Sequence, residues 1–497
     1  LKPVWLKSLG STPLALPSPP RAARSPPCAA SCAVDIPASD MGNCQSNPQV
    51  VKTPREDHLR PVPSPRFEEA TKALAAAPPP LGWLPKSVAA IGGIEAWNSQ
   101  PELAQLLKTM RGACSATTVE EALAEVRGIM GLGHNLWAYL YLRTLANESA
   151  SLYYGMLLAD PTLLLPVAYT PTVGEACQKF GMMPFFKRGC YVSVTDRGGI
   201  RTVLEMYAKE MLPKSVDGGY ECQCMVFSDG NRILGLGDLG AWGMGIPLGK
   251  LDLYTVCGGF DPSKTVPVII DAGCAGPCGN TDGLVIRDHK MYTGLKCDRT
   301  KHKSEAGTDV NSAYYGKDSL IGEFLTAATE LFGRGCLLQF EDFNTNDAFP
   351  LLAEYRDRFL CYNDDIQGTA SVAIAAILGA LKIQKPQCKD LISEMRSLKC
   401  LFHGAGSANL GGATLLMTEG GVPPESVVCT NSKGVIWKSE DGKEGTFRND
   451  EQKAIAQVGR PSYDSKDLVS IIKNVKPDVL VGAVGRDPGC FNKQVIE

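Results

Sequence analysis

Three acidic side chains lie in two short motifs, and their types suit a divalent metal ion. Glu341 and Asp342 belong to Phe-Glu-Asp-Phe at 340–343, and Asp365 belongs to Asn-Asp-Asp-Ile-Gln at 363–367. Three oxygen ligands can hold Mg²⁺ or Mn²⁺ and still leave coordination positions open to water or a chelating substrate. An Asp pair before a helix is also a common capping feature. The two motifs by themselves therefore leave both a metal site and a structural role open.

Two glycine-rich segments compete for a dinucleotide. Residues 235–240 match the Gly-x-Gly-x-x-Gly pattern in full, whereas the turn that begins at Gly404 has Asn409 at the third glycine position. The second segment follows an apolar strand pattern and opens a helical pattern, and this context brings backbone N–H groups to a pyrophosphate. We therefore predict a dinucleotide-binding turn, with a plain turn as the alternative, at Gly404, Ala405, Gly406 and Ser407.

The end of the next predicted strand indicates which dinucleotide binds. An NAD-binding sheet usually places Asp or Glu there, which accepts from the ribose 2′-hydroxyl and repels a 2′-phosphate. This chain has neutral Asn431, followed by Ser432 and the cationic Lys433. The sequence therefore predicts NADP, and it leaves open both NAD and a merely solvated turn lysine.

Further motifs upstream make the pattern specific. They are Tyr-Thr-Pro-Thr-Val-Gly at 169–174, Arg-Ile-Leu-Gly-Leu-Gly-Asp-Leu-Gly at 232–240 and Gly-Ile-Pro-Leu-Gly-Lys at 245–250. With the acidic motifs and the glycine turn in this order, the chain resembles the malic enzyme family over residues 90–497. The resemblance implies metal-dependent oxidative decarboxylation of malate to pyruvate and carbon dioxide, with reduction of NADP. It also implies assembly as a homodimer or a homotetramer.

The resemblance implies roles for single residues. Lys250 matches the lysine that takes the hydroxyl proton of malate, and its apolar surroundings predict a lowered pKa. Tyr169 matches the tyrosine that protonates the carbon that carbon dioxide leaves, and Arg232 matches a ligand of malate near the nicotinamide. Asp364 is expected to orient the lysine or the metal ligands. The implied metal ligands are Glu341, Asp342 and Asp365. By residue type alone, a surface lysine, a packed tyrosine and a structural salt bridge are the alternatives.

Some features depart from the family pattern. The family usually has Asn near the position of Thr345, and this chain ends at Glu497, before a family segment that contains Ser-Asn-Pro. We therefore expect a fragment of a longer protein. Three other hypotheses stay open: a malolactic-type enzyme on the same scaffold, an amino-acid dehydrogenase of similar architecture, and an inactive nucleotide-binding protein.

Apolar periodicity predicts the elements that must position these residues. Helical spacing of apolar residues predicts helices across 102–160 and at Leu320–Leu331, and apolar runs predict strands at Cys190–Thr195 and Cys336–Phe340. A polar, glycine-rich stretch at 273–320 predicts a long surface loop. The last part alternates strand, helix and strand. Its predicted elements are Leu398–Phe402, Leu410–Thr418, Ser426–Cys429 and Val479–Val481.

This order predicts an α/β fold in three parts. They are a helical amino-terminal region, a mixed α/β catalytic domain and a doubly wound parallel sheet of the Rossmann type for the dinucleotide. The predicted boundaries are a tail at 1–85, the catalytic domain at 86–366 and the dinucleotide domain at 367–497, incomplete at its carboxyl end.

Composition excludes several classes of protein. The net charge of −3 over 497 residues gives no electrostatic footprint for nucleic acid. The longest apolar run, 370–381, is about half the length of a membrane span. The 18 cysteines include no pair of Cys-x-x-Cys motifs, which argues against zinc and predicts reduced, mostly buried thiols.

Residues 1–85 are rich in Pro, Ala and Ser and are predicted to be disordered. No acid precedes Asp35 while several basic residues do, which suits an organelle transit peptide. A start at Met41 would instead expose Gly42 for myristoylation and place Cys44 for palmitoylation, which would anchor the chain to a membrane. A tail without function is the third alternative. The sequence therefore leaves cytoplasmic, organellar and membrane-anchored locations open.

Overall fold

The computed structural model describes part of the chain. The described residues are 4–6 (backbone only), 116–183, 188–233, 235–275, 285–299, 319–484 and 489–497. The predictions for Gly42 and Cys44, for the helix before residue 116 and for most of the long loop lie outside them. Within the predicted tail, Val4–Leu6 forms a short strand, β1. The disorder predicted for the rest of residues 1–85 stays a prediction, as do the three domain boundaries.

Helices dominate the first large described segment. They are α1 (Val119–Gly131), α2 (Asn135–Glu148), α3 (Ala150–Ala159), α4 (Pro161–Ala168) and α5 (Thr172–Gln178). Helix α1 begins with a capping box, in which the Thr118 side chain accepts from the Glu121 N–H and the Glu121 carboxylate accepts from the backbone of Thr118. The predicted apolar stripe is confirmed, because Tyr139 and Leu142 are fully buried in the core of this region.

Five parallel strands form the first sheet, in the order β2-β4-β3-β5-β6. They are β2 (Cys190–Ser193), β3 (Cys224–Ser228), β4 (Thr265–Asp271), β5 (Leu337–Phe340) and β6 (Cys361–Asn363). Its helices are α6 (Ile200–Met211), α7 (Gly245–Gly258), α8 (Leu320–Phe332) and α9 (Thr345–Tyr355). Met225 and Phe227 of β3 pack with α6 and α8, whereas Val226 packs with Leu251 of α7. Helices therefore cover both faces, and all five strands end at one edge.

The second sheet has the order β1-β12-β7-β8-β9, with a parallel centre and an antiparallel strand at each edge. Its other strands are β7 (Cys400–His403), β8 (Val427–Asn431), β9 (Gly434–Val435) and β12 (Val479–Gly482). A small parallel pair lies beside it, β10 (Trp437–Lys438) and β11 (Gln457–Val458).

Helices cover both faces of the second sheet as well. They are α10 (Thr369–Gln384), α11 (Leu391–Arg396), α12 (Ser407–Thr418), α13 (Asp450–Ala454), α14 (Leu468–Val475) and α15 (Lys493–Ile496). Phe402 of β7 packs in one core with α10 and α12, and the adjacent Leu401 packs in another core with α14 and α15. The predicted doubly wound sheet is thus confirmed, with strands that lie within two residues of their predicted ends.

A single π-helical turn, Asp364–Gly368, joins β6 to α10 and is called the acidic turn. Gly411 of α12 lies against it so closely that a Cβ on Gly411 would overlap the carbonyl oxygen of Ile366. The amino-terminal half of α12 is thereby held beside the carboxyl end of the first sheet.

The acidic turn and α10 together form a 21-residue stretch, Asp364–Gln384, which contains an 18-residue window with a mean hydropathy of 1.6. Its length and composition alone would suffice to cross a membrane, and core helices pass the same test. Ile377 and Leu381 of this stretch are buried in the core of the second sheet.

Candidate active site

Lys250 lies between two carboxylates that come from different strands. Its Nζ is 3.0 Å from Oε1 of Glu341 and 2.8 Å from Oδ2 of Asp364, and its side chain is 12% exposed. Lys250 stands on α7, Glu341 follows β5 and Asp364 follows β6. Because parallel neighbouring strands end at the same edge, the fold brings together groups that are far apart in sequence. Asp364 was expected to orient either the lysine or the metal ligands, and in the structure it contacts the lysine.

Tyr169 completes this cluster. Its hydroxyl donates to Oε1 of Glu341 at 3.2 Å, and Nζ of Lys250 lies 5.2 Å from the centre of its ring. Gly249, next to Lys250 on α7, makes this packing possible, because a Cβ there would lie 2.5 Å from Cδ2 of the tyrosine ring. The residue before the lysine thus has to be small for the tyrosine to approach.

The surrounding charges hold protons on both Lys250 and Tyr169. Burial lowers the pKa of Lys250, but Glu341, Tyr169 and Asp364 raise it by more, so its pKa lies above the ordinary lysine value. The prediction of a lowered pKa is therefore wrong, since the acids that surround the ammonium come from distant segments. Burial and the Glu341 carboxylate raise the pKa of Tyr169 well above its ordinary value. The tyrosine is thus a neutral hydroxyl near neutral pH.

The carboxylates of the site disfavour one another's charge. Burial raises the pKa of Glu341 to about 8, with further contributions from Asp365 and Asp364 and an opposing one from Lys250. Burial, Asp365 and Glu341 raise the pKa of Asp342 well above its ordinary value. The backbone of Asp342 has a φ of 56°, in the left-handed region that Asp tolerates better than most residues, and its N–H donates to Oδ2 of Asp365 at 2.8 Å.

Carboxylate oxygens are suitable ligands for a divalent cation, but the side chains of Glu341, Asp342 and Asp365 are not grouped around one point in the structure. In the part of the chain that the structure describes, no three His, Cys, Asp or Glu side chains are grouped so that they could hold a metal ion. Oε1 of Glu341 faces Lys250 and Tyr169, and its Oε2 accepts from the Gln339 amide at 2.5 Å. Buried oxygen donors that raise one another's pKa are nevertheless a suitable environment for added positive charge.

Arg232 is joined to this region through its backbone. Its N–H donates to the carbonyl oxygen of Asp342 at 2.9 Å, while its side chain is exposed. The structure thus places Arg232 next to the predicted metal ligands, with a guanidinium that faces solvent and is accessible to a small anion.

The glycine turn, residues 404–407, connects β7 to α12. Asn409, which departs from the glycine pattern, donates from its amide to the carbonyl oxygens of His403 at 2.9 Å and Gly404 at 2.8 Å. Ser407 donates to Oγ1 of Thr345 at 3.1 Å, so the turn lies beside the first residue of α9. Asn409 therefore fastens the turn, and Gly412 is the glycine of α12 that packs against β7, with 3.2 Å from an added Cβ to the Phe402 ring.

The end of β8 carries the groups predicted to choose the dinucleotide. The amide of Asn431 donates to the Thr446 carbonyl at 2.8 Å, and its Oδ1 accepts from the Lys433 N–H at 2.8 Å. The guanidinium of Arg448 donates to the hydroxyl of Ser432. Arg448 and Lys433 are both exposed, so two cations and a hydroxyl line the predicted 2′-phosphate position.

Sequence reasoning missed two polar residues of these sites. Arg448 lies in a loop well beyond the β8 motif, and only the contact between that loop and Ser432 reveals it. Gln339 reads as an interior strand residue, yet its side-chain oxygen accepts from Tyr362 at 3.0 Å while its amide holds Glu341. A glutamine within an apolar strand pattern, two residues before Glu341, is the sequence signal that could have found it.

Comparison with known proteins agrees with these observations. The family model "Malic enzyme, N-terminal domain" matches residues 146–356, and "Malic enzyme, NAD binding domain" matches residues 366–497. The NADP-dependent malic enzyme of Anas platyrhynchos is 39% identical over 375 residues, which cover 74% of this chain and 59% of that protein. The mitochondrial NADP-dependent malic enzyme of Homo sapiens is 38% identical over 365 residues, which cover 72% of this chain and 53% of that protein.

The chain thus spans 59% and 53% of the length of these two relatives. A crystal structure of malic enzyme from Entamoeba histolytica aligns with 65% of this chain and 51% of that chain, at 21% identity and a TM-score of 0.35. At that level of likeness the assignment rests on the sequence comparisons alone. Because the two family models match 146–356 and 366–497, well over half of the sequence, the chain belongs to the malic enzyme family.

Proposed function

We propose that this chain carries the catalytic centre of an NADP-preferring malate oxidoreductase that decarboxylates malate to pyruvate and carbon dioxide. The observation that carries the proposal is the cluster of Tyr169, Lys250 and Glu341 at the carboxyl edge of the first sheet. The glycine turn lies near the same edge, because Gly411 of the helix that follows it packs against the acidic turn. A substrate at this edge would contact both proton-carrying groups and a bound dinucleotide.

Lys250 and Tyr169 would move the protons. Lys250 would accept the hydroxyl proton of malate while hydride passes to the dinucleotide, once the negative charge that now raises its pKa is neutralised. Tyr169 is buried and keeps its proton to high pH, so it would deliver that proton to the carbon that carbon dioxide leaves. Nζ of Lys250, 5.2 Å from the tyrosine ring, would then supply the replacement proton. Arg232 would bind a carboxylate of malate.

Glu341, Asp342 and Asp365 would hold Mg²⁺ or Mn²⁺. When bound, the cation would act as a Lewis acid on the carbonyl oxygen and would neutralise the carboxylates that surround Lys250. Asp364 would then remain as the partner of Lys250, at 2.8 Å, and would keep its amine directed at the substrate.

The dinucleotide would bind at Gly404, Ala405, Gly406 and Ser407. Its 2′-phosphate would lie against Ser432, Lys433 and Arg448. Position 431, where an acid would repel that phosphate, is a neutral Asn. Relatives named as NADP-dependent malic enzymes support this choice, and NAD remains the weaker ligand.

A homodimer or homotetramer is part of the same proposal. Exposed apolar side chains in the helical region support self-association, among them Leu132, Trp137 and Leu158 at 63%, 55% and 59% exposure. Anchoring through lipids on Gly42 and Cys44 lies outside the described residues and stays a prediction.

The test is NADPH absorbance in the natural protein with malate, Mn²⁺ and NADP⁺. We expect metal-dependent NADPH formation with pyruvate as the product, abolished by EDTA and by Lys250→Ala. Lys209→Ala is the matched control, because Lys209 is exposed on α6 and should leave the rate unchanged. Tight NADP⁺ binding without NADPH, or lactate as the product, would contradict the proposal.

A further inference from the structure

Two buried thiols lie side by side at the end of the first sheet that is opposite the active-site cluster. Cys222 precedes β3 and Cys336 precedes β5, and these strands are parallel neighbours. The two Sγ atoms are 3.6 Å apart, and the residues are 8% and 3% exposed. The Leu337 N–H donates to the Gln223 carbonyl at 3.0 Å and fixes the strand register beside the thiols. The pair is therefore built into the sheet.

An open cavity reaches one of these thiols. The cavity has a volume of about 970 Å³, and Cys222 is among its lining residues. Gly335 and Leu337, the neighbours of Cys336 in sequence, also line it, whereas Cys336 itself is the more deeply buried thiol. A small molecule in the cavity would thus meet Cys222 first and Cys336 behind it.

We propose that Cys222 and Cys336 are a redox-active dithiol, which small-molecule disulfides oxidise to an intramolecular disulfide. The Cys222 thiolate attacks one sulfur of the small disulfide, whose S–S bond breaks, and the first small thiol leaves with the proton that Cys222 lost. The Cys336 thiolate then attacks Sγ of Cys222, and the second small thiol leaves with the proton from Cys336. The protein loses two electrons and two protons, and the small disulfide gains them.

Closure of the bond needs little movement. A disulfide is about 2.0 Å long, so the two sulfurs, now 3.6 Å apart, must approach by about 1.6 Å. The alternative is that both thiols only pack as small apolar groups, with the Cys222 S–H donating to the Cys224 carbonyl at 3.6 Å. That alternative explains their burial but gives no reason for a cavity that opens onto Cys222.

The environment also predicts how the rate depends on pH. The adjacent Cys336 thiol and burial raise the pKa of Cys222 well above the ordinary thiol value. Cys222 therefore rests as a protonated thiol at neutral pH, and exchange is slow because only the thiolate attacks. Since the thiolate fraction grows with pH, the rate of disulfide formation should rise from neutral to alkaline pH.

The experiment treats the folded natural protein with oxidised glutathione, blocks the remaining thiols with iodoacetamide and maps linked peptides by mass spectrometry. We expect a peptide pair joined through Cys222 and Cys336, which dithiothreitol reverses, and a rise of several degrees in the unfolding temperature. Cys336→Ser should leave glutathione attached to Cys222, because no second thiol can displace it. Cys222→Ser should leave Cys336 unmodified.

Cys257 serves as the internal control, because it is exposed and should take up glutathione in every variant. A Cys224–Cys336 link would overturn the assignment. So would complete alkylation of Cys222 and Cys336 in protein whose Cys257 has reacted. Both of these outcomes are measured in the unsubstituted protein, so they do not depend on whether either serine variant folds.

Discussion

At the scale of single residues, the Glu341 carboxylate connects the proton-carrying groups. Its Oε1 accepts from the Tyr169 hydroxyl at 3.2 Å and the Lys250 ammonium at 3.0 Å, and its Oε2 accepts from the Gln339 amide at 2.5 Å. Both oxygens are thus engaged in a fully buried position, where electrostatic coupling is strong. A change of charge on any one member of this cluster will shift the protonation of the others.

Tyr169→Phe tests the proposed proton donor. The ring keeps its packing against Gly249, but the hydroxyl is lost, so we expect kcat to fall by about 100-fold or more. The dissociation constant for NADP⁺ should stay unchanged, as measured by fluorescence titration. Tyr463→Phe is the control, because Tyr463 packs beside α14 on the second sheet. An unchanged kcat in Tyr169→Phe would remove the tyrosine from the mechanism.

Arg448→Ala tests the 2′-phosphate position. Loss of one charged hydrogen-bond donor should raise the dissociation constant for NADP⁺ by about 10-fold and leave that for NAD⁺ nearly unchanged. Lys443→Ala is the matched control, since Lys443 is an exposed cation in the same loop with 82% of its side chain accessible. Equal weakening of both dinucleotides would assign Arg448 a purely structural role.

At the scale of the elements, α7 places Lys250 by allowing one close approach. Gly249 lies where the helix meets the Tyr169 ring and the Ala168 carbonyl, with 2.5 Å and 3.1 Å from an added Cβ to the nearest ring atom and to the carbonyl oxygen. A glycine inside a helix is otherwise unfavourable by about 1 kcal/mol relative to alanine. The helix therefore gives up intrinsic stability to admit the tyrosine.

Gly249→Ala should displace Tyr169 and lower both kcat and the unfolding temperature, despite the better helix propensity of alanine. Gly379→Ala is the matched control, because Gly379 lies on the exposed side of α10, with nothing within 4 Å of an added Cβ. That variant should keep full activity and gain about 0.5–1 kcal/mol of stability. Thermal and urea unfolding measure the changes in stability, and NADPH absorbance measures kcat. Equal behaviour of the two variants would show that the close approach is unimportant.

Apolar pattern was sufficient to predict several elements. The three central strands of the second sheet are buried on both faces, so they appear in the sequence as short continuous apolar runs. The contacts between charged side chains at the strand ends of the first sheet were not predictable, because they depend on the order of the strands. Glu341 and Asp364 lie far from Lys250 in sequence; the pairing of β5 with β6 brings the two acids together, and the packing of α7 on the sheet brings Lys250 to them. The pKa of Lys250 was mispredicted for this reason.

At the scale of the whole molecule, a buried ion network links the loop 285–299 to the first sheet. The Arg299 guanidinium is 1% exposed and lies 2.9 Å from a carboxylate oxygen of Asp229 and 2.7 Å from one of Asp238. Asp229 directly follows β3, and Asp238 precedes the turn that leads into α7. The arginine thus ties the segment that follows α7 in sequence to the segment that precedes it.

Arg299→Met should lower the free energy of unfolding by about 3–5 kcal/mol, because it removes a buried cation from its ion pairs with two buried carboxylates. Arg201→Met is the control, since Arg201 pairs with Glu330 at the surface with 52% and 58% of the side chains exposed. That change should cost less than about 1 kcal/mol. Urea unfolding measures both free energies. If the two variants lose similar stability, burial of the Arg299 network contributes little to the free energy of unfolding.

The close approach of Gly411 to the carbonyl of Ile366 has a consequence for sequence drift. The nearest atoms across this contact are backbone atoms, so the distance between the acidic turn and α12 at this point cannot be changed simply by making a side chain shorter. Glycine at position 411 is therefore the side-chain choice on which this close approach directly depends. Any larger residue at position 411 would meet the Ile366 carbonyl and push α12 away from the acidic turn, and because the obstructing atoms are backbone, a smaller side chain at position 366 would not relieve the overlap.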